Sequence, residues 1–239
     1  MDWIASFFKS QMDFVYFISG LAFLMLGMNS FPVARAKRLP LPWVFLAVFA
    51  VLQGLSEWVN LLTLSFGSSP AGDVLGFVLT AVSYAALVEF GRRAISACTG
   101  KHISPWVHAP LAALTGLGLL SGTAGLNAAL AYSYGLAGGL AAALTFYRAY
   151  RRTKTPQFKF VAALLLAYAL TVGIIVPPAA FAPAAWLNQT VFQDALGLPI
   201  QLIRAVLVVT ASFLLWQHDQ NNLQALQMRN QRPERISFS

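Results

Sequence analysis

Charge is what this sequence has least of. Asp, Glu, Lys and Arg together supply 10% of its 239 residues, against roughly 25% in a typical soluble domain. Sixteen basic and eight acidic side chains cannot cover a soluble fold of this length. A soluble enzyme and a disordered tail are therefore excluded. Cysteine is nearly absent as well. Cys98 stands alone, so no disulfide forms within one chain and a disulfide-knit secreted domain is excluded. The start, MDWIASFFKSQ, lacks the basic region and small-residue cleavage site of a signal peptide, and none is expected. Catalytic signatures are missing too: no phosphate loop, no HExxH, no GxSxG and no cysteine–histidine nucleophile pair. No enzymatic activity is expected of this chain.

What is present is apolar. Hydrophobic types make up 58% of the chain and the mean hydropathy is +0.65. The apolar runs last about twenty residues, the length that crosses a bilayer as a helix. Strands of an outer-membrane barrel would alternate over about ten. The expected fold class is an all-α membrane protein, a bundle of seven transmembrane helices. The spans read as Asp13 to Pro32, Trp43 to Leu64, Asp73 to Gly91, Pro105 to Leu120, Asn127 to Tyr147, Phe160 to Val176 and Leu198 to Trp216. Residues 1–12 form an N-terminal segment, with Trp3, Ile4, Phe7 and Phe8 at the spacing of an interfacial helix; the alternative is a frayed terminus. Residues 13–216 are the seven-helix domain, and residues 217–239 a cytoplasmic tail. Two glycine pairs four apart, Gly118 with Gly122 and Gly135 with Gly139, fit close helix approach.

The net charge of +8 is distributed in a way that sets topology rather than nucleic-acid binding. Loops one, three and five hold Arg35, Lys37 and Arg38, then Arg92, Arg93 and Lys101, then Arg148, Arg151, Arg152, Lys154 and Lys159. The tail holds Arg229, Arg232 and Arg235. Only Lys9 and Arg204 fall elsewhere. Basic loops stay in the cytoplasm, so the N-terminus is expected outside and the C-terminus inside, which requires an odd number of spans. The segment Pro177 to Gly197, with Phe181, Trp186, Leu187 and Phe192, is too apolar to hang in water and is expected to fold over the outer mouth of the bundle.

Two charges fall inside spans. Glu57 lies about fourteen residues in from the cytoplasmic end of its helix, about 21 Å at 1.5 Å per residue. Arg204 lies about six residues, or about 9 Å, from the outer end of the last span. In a slab about 30 Å thick the two depths match. A charge at such depth needs a partner, so the two are expected to meet, directly or through water or ligand. Gln53, Glu57 and Asn60 share one helix face, as do Gln201 and Arg204. This buried polar patch is read either as a ligand pocket or as a pair that only fixes packing. Glu89, with Arg92 and Arg93 three and four residues on, reads as a local salt bridge. His102, His108 and His218 fall near the cytoplasmic face. A bis-histidine haem site of His108 with His218 is weighed against interfacial hydrogen bonding; nothing in the spacing supports it, so no metal or cofactor is expected. The last span contains no lysine, so a retinal Schiff base is excluded there.

Several segments carry a resemblance: FFKSQMDFVYFISGLAFLMLGM, VFLAVFAVLQGLSEWVNLL, LVEFGRR and WLNQTVFQDALGLPIQLIRAV. Together, over most of residues 7–216, they resemble the N-terminal seven-helix input module of bacterial sensor histidine kinases and related diguanylate cyclases. The second span of that family often reads HGLxEW, where this chain has Gln53 in place of the histidine. The match retains Gly54, Glu57, Trp58, Asn188, Gly197, Pro199, Gln201 and Arg204. The resemblance implies a bacterial inner-membrane sensor. The candidate site combines Glu57, Arg204, Gln53, Asn60 and Gln201, from depth and helical facing, with Trp58 and Asn188, which the resemblance implies, and Trp186 of the outer segment near the entry. The last helix would continue toward a cytoplasmic output domain or a partner kinase or cyclase, in a homodimer. Gln217 to Asn230 is polar with Leu223 and Leu226, as the start of such a helix would be. The rival readings are a small secondary or proton-coupled carrier and, after it, a haem-binding membrane protein.

Overall fold

The helices begin and end where the local chemistry of the chain permits. The computed structural model describes residues 2–36 and 41–231. Lys37 and Arg38 of the first basic loop, and Arg232 and Arg235 of the tail, lie outside them. Helix α1 is Asp2–Ser10, α2 Met12–Ala36 and α3 Trp43–Phe66. Helix α4, Pro70–Thr99, starts at Ser69, whose hydroxyl accepts from the Gly72 amide, with Pro70 in the first turn where its missing N–H costs nothing. It ends at Gly100, left-handed at φ 68°. It runs eight residues past the expected end at Gly91. After a 3-10 turn at Pro105–Val107, α5 is His108–Leu117. The chain turns at Gly118–Ser121, and α6 is Gly122–Leu130. A π-helical turn, Ala131–Gly135, leads into α7, Leu136–Thr153. Then come α8, Pro156–Ile174, the short α9, Gln189–Leu196, and α10, Ile200–Gln231.

Among the described residues, six helical runs are long and apolar enough to cross a bilayer, pointing to a multi-pass membrane protein. The expected count was seven. The difference lies in one run of 49 residues, Pro105–Thr153, which contains both the fourth and the fifth expected spans. It is not straight. Gly122 sits at φ +71° and reverses the chain, so that α5 packs back against α6 and the π-helical turn. A side chain at Gly118 would meet the Gly125 carbonyl at 2.4 Å, so backbone touches backbone there. The expected pairing of Gly118 with Gly122 is therefore corrected: Gly122 makes the turn, and Gly125 makes the contact. Gly135 and Gly139 do lie at close approaches, against Val172 and Ala169 of α8.

The remaining long helices close a ring in the order α2, α3, α4, α7, α8, α10 and back to α2. The interior is filled by aromatic contacts. Phe23, Phe49 and Tyr168 meet edge to face across α2, α3 and α8, and Phe146 packs against Trp43, Phe90 and Phe158. Large apolar residues also face outward, among them Phe17, Met25, Val78, Leu166, Leu170 and Phe213. In a membrane the outward face is solvated by lipid, so burying apolar area does not by itself hold helices together. Short polar clamps do part of that work. Asn29 Nδ2 donates to Ser212 Oγ at 2.8 Å between α2 and α10. Ser56 and Thr80 hydroxyls meet at 2.6 Å between α3 and α4, and Thr115 and Ser133 at 2.7 Å between α5 and the π-helical turn.

At the opposite end from the α9 segment, Glu89 accepts from Arg92 at 2.6 Å and Arg93 at 2.5 Å and lies 3.5 Å from His108 Nε2. The local salt bridge is thus extended by a residue of α5. Arg152 of α7 donates to the Cys98 carbonyl of α4. Helix α10 continues unbroken past Trp216 to Gln231. Replacing Gly118 by Val should lower stability by about 1–3 kcal/mol by prying α5 off α6. Gly116→Ala, which meets nothing within 4 Å, should be neutral or stabilising by up to about 1 kcal/mol. Thermal melting of the purified variants separates the two.

Candidate functional site

The ring leaves a cavity of about 430 Å³ between its helix ends, beside the segment that joins α8 to α10. Helical spacing explains what lines it. Gln53, Glu57 and Asn60 fall on one stripe of α3, and Gln201 and Arg204 on one stripe of α10. All five expected residues on these two helices face the same space. Trp58 is one residue beyond Glu57 and therefore points about 100° away. It stacks on Phe17 at 6.2 Å and its indole N–H donates to the Phe17 carbonyl at 3.4 Å. Trp58 is a helix-packing residue, not a wall of the cavity.

Asn188 is also corrected. It is buried, yet both halves of its amide are spent on the backbone. Its Oδ1 accepts from the Thr190 and Val191 amides at 3.0 Å, and its Nδ2 donates to the Ala184 carbonyl at 2.9 Å. It is the N-cap of α9, which Gly197 ends at φ 72°. Trp186 is 74% exposed and does not line the cavity. The residues of this segment that do are Pro177 and Gln189, and the Gln189 side-chain Oε1 accepts from Gln201 Nε2 at 3.4 Å. Helix α9 is steadied by α1, where Lys9 meets Asp194 at 2.8 Å. Both side chains are more than half exposed, so this pair contributes little to stability.

Tyr16, Thr80, Asp73 and, from α6, Asn127 also line the cavity and were not singled out for it by the sequence reading; Tyr84, open to either a pocket or a core role from sequence, lines it too. Asp73 is the acidic residue in the first turn of α4. Its place on the wall follows from the packing of α4 on α3, where Ser56 also holds the Gly76 carbonyl at 3.3 Å.

Glu57 and Arg204 form no direct ion pair among the described residues, although they interact electrostatically across the cavity. Arg204 Nη2 donates instead to the carbonyls of Thr171 and Ile175, at 2.7 and 2.8 Å. These carbonyls belong to the C-terminal end of α8, where the backbone dipoles favour a cation. Glu57 Oε1 receives a long bond of 3.5 Å from Gln53 Nε2, and Gln53 is itself fixed by the Ser83 hydroxyl at 2.8 Å. Glu57 Oε2 and Arg204 Nε are buried and have no partner.

The histidines stand apart from this site. His108 stacks on Tyr134 at 5.7 Å and reaches Glu89; His218 packs on Phe158 at 4.6 Å and contacts Asn222 at 3.0 Å. Neither is partnered with the other, and no group of three or more metal-ligating side chains occurs among the described residues. A second, apolar cavity of about 340 Å³ lies between the α5–α6 hairpin and Phe181.

No protein-family model, no curated protein and no solved structure matches this chain. Asn188→Ala should destabilise α9 by about 1–2 kcal/mol. Hydrogen exchange should then quicken across residues 189–196 while the amides of α3 and α8 keep their protection.

Proposed function

We propose that this chain is a membrane sensory module that acts through the cavity between α3, α4 and α10 and carries no catalysis of its own. A small molecule from the outer side or outer leaflet occupies the cavity and redistributes the contacts of Glu57 and Arg204. The observation that carries this reading is the continuity of α10. One helix of 32 residues places Arg204 in the cavity wall and runs on to Gln231. A change in what Arg204 contacts is therefore a change in the position of a rod that leaves the bundle at its other end. A ligand biases that rod only by binding its two positions unequally.

The seven-span topology belongs to this proposal. The folded run Pro105–Thr153 crosses twice, the N-terminus is outside, and the basic ends of α4 and α7 face the cytoplasm of a bacterial inner membrane. The likeness of the QGLSEW and LGLPIQLIR segments to sensor-kinase input modules supports the same reading. It implies an output domain or a partner kinase or cyclase reached through α10, and a homodimer.

The topology is tested in a Cys98→Ser background with a cysteine at Lys101. A membrane-impermeant maleimide should label it in inverted vesicles and not in intact spheroplasts; the reverse pattern overturns the orientation. The signalling reading is tested with spin labels at Lys154 and Asn221, about 25 Å along α10 from Arg204. Arg204→Ala and Glu57→Gln should each shift the distance between the labels by about 1–2 Å, the size of helix displacements in switching bundles. An unmoved distance in folded variants removes the sensor reading, and solute flux in proteoliposomes would replace it with a carrier.

A further inference from the structure

We propose that the cavity binds a small zwitterion, with a cationic nitrogen at Glu57 and an anionic group at Arg204. The inference rests on the reading above that this cavity takes a ligand.

Two opposite charges that line one buried cavity attract each other, and a direct contact would satisfy both. Here they make no such contact. Glu57 is 7% exposed and Arg204 9%, and each is oriented only by uncharged groups. The α8 carbonyls take two protons of the guanidinium through Nη2, and Gln53 touches one carboxylate oxygen. What remains is one buried acceptor atom, Glu57 Oε2, and one buried donor atom, Arg204 Nε, without partners. The missing complement is thus a donor with positive charge and an acceptor with negative charge, held at a fixed spacing.

Ligands with one charge fit less well. An anion alone would pair with Arg204 and stand near the carboxylates of Glu57 and Asp73, which line the same wall. A cation alone would leave the guanidinium without a counter-charge. A neutral polar molecule would meet the hydrogen bonds and neither charge. A zwitterion meets all four requirements, and Gln189 and Gln201 offer amides to the atoms between its ends. Two sources share this chemistry: a free amino-acid-like solute, and the ammonium and phosphate of an ethanolamine lipid headgroup.

The test uses the whole chain in phosphatidylglycerol nanodiscs, titrated with ω-amino acids of increasing length: glycine, β-alanine, γ-aminobutyrate and ε-aminocaproate. Each is compared with the amine and the carboxylate of matched chain length. One length should bind at least about tenfold tighter than its neighbours and than both one-charge analogues. Glu57→Gln should reduce that ligand to the affinity of the carboxylate analogue, with its melting temperature checked for retained folding. Repeating the titration with phosphatidylethanolamine in the disc identifies the source: competition assigns the lipid headgroup, and unchanged binding assigns the free solute. Binding by no member of the series, or equally tight binding of a one-charge analogue, overturns the proposal. Binding of the zwitterion with no movement of the spin-labelled helix would leave this inference standing and remove the sensor reading. Movement driven by a carboxylate alone would do the opposite.

Discussion

A guanidinium inside an apolar bundle must be held by dipoles, and the way Arg204 is held organises this end of the protein. Its two hydrogen bonds run to carbonyls at the end of α8: Thr171, which also accepts the Ile175 amide, and Ile175, which caps the helix. The same contact serves both sides. The helix end gains a donor and the arginine gains a negative dipole, and α10 is tied to α8 at the cavity wall. With α10 also clamped to α2 through Asn29 and Ser212, the helix that closes the ring is fixed on both flanks.

The carboxylate side is built on the same plan from a different direction. Ser83 of α4 orients Gln53 of α3, and Gln53 orients Glu57. A hydroxyl on one helix thus sets the position of a charge on its neighbour. Ser56 and Thr80 repeat the α3–α4 connection closer to the mouth. Glu57 and Arg204 thus each have their hydrogen bonds on their own side of the cavity.

Much of the architecture was legible because membrane helices are constrained by length. Runs of about twenty apolar residues end at prolines, glycines and basic clusters, and the expected spans match α2, α3, α8 and the start of α10 within a few residues. The stretches expected as the fourth and fifth spans belong to one folded helical run that reverses at Gly122. The polar residues of the cavity were legible where two conditions held together: rarity in an apolar helix, and shared facing. Gln53, Glu57, Asn60, Gln201 and Arg204 satisfied both. Trp58 and Asn188 were drawn in by likeness to a family pattern, and local geometry assigns them elsewhere. The phase of the helix turns Trp58 away, and the Asn-Gln-Thr start of α9 has the form of a helix cap.

The sequence by itself determined the helical class, the position of the long apolar helices and the scarcity of charge, because hydropathy and helical period are properties of contiguous residues. It also marked Glu57 and Arg204, since their depth follows from counting along one helix. Only the tertiary structure decided that they line one cavity without touching, and that Asp73, Tyr16 and Gln189 join them. Those facts depend on how helices more than a hundred residues apart in the chain rotate against each other. That rotation is set by glycine contacts, hydroxyl clamps and carbonyls at helix ends, none of which has a period along the sequence.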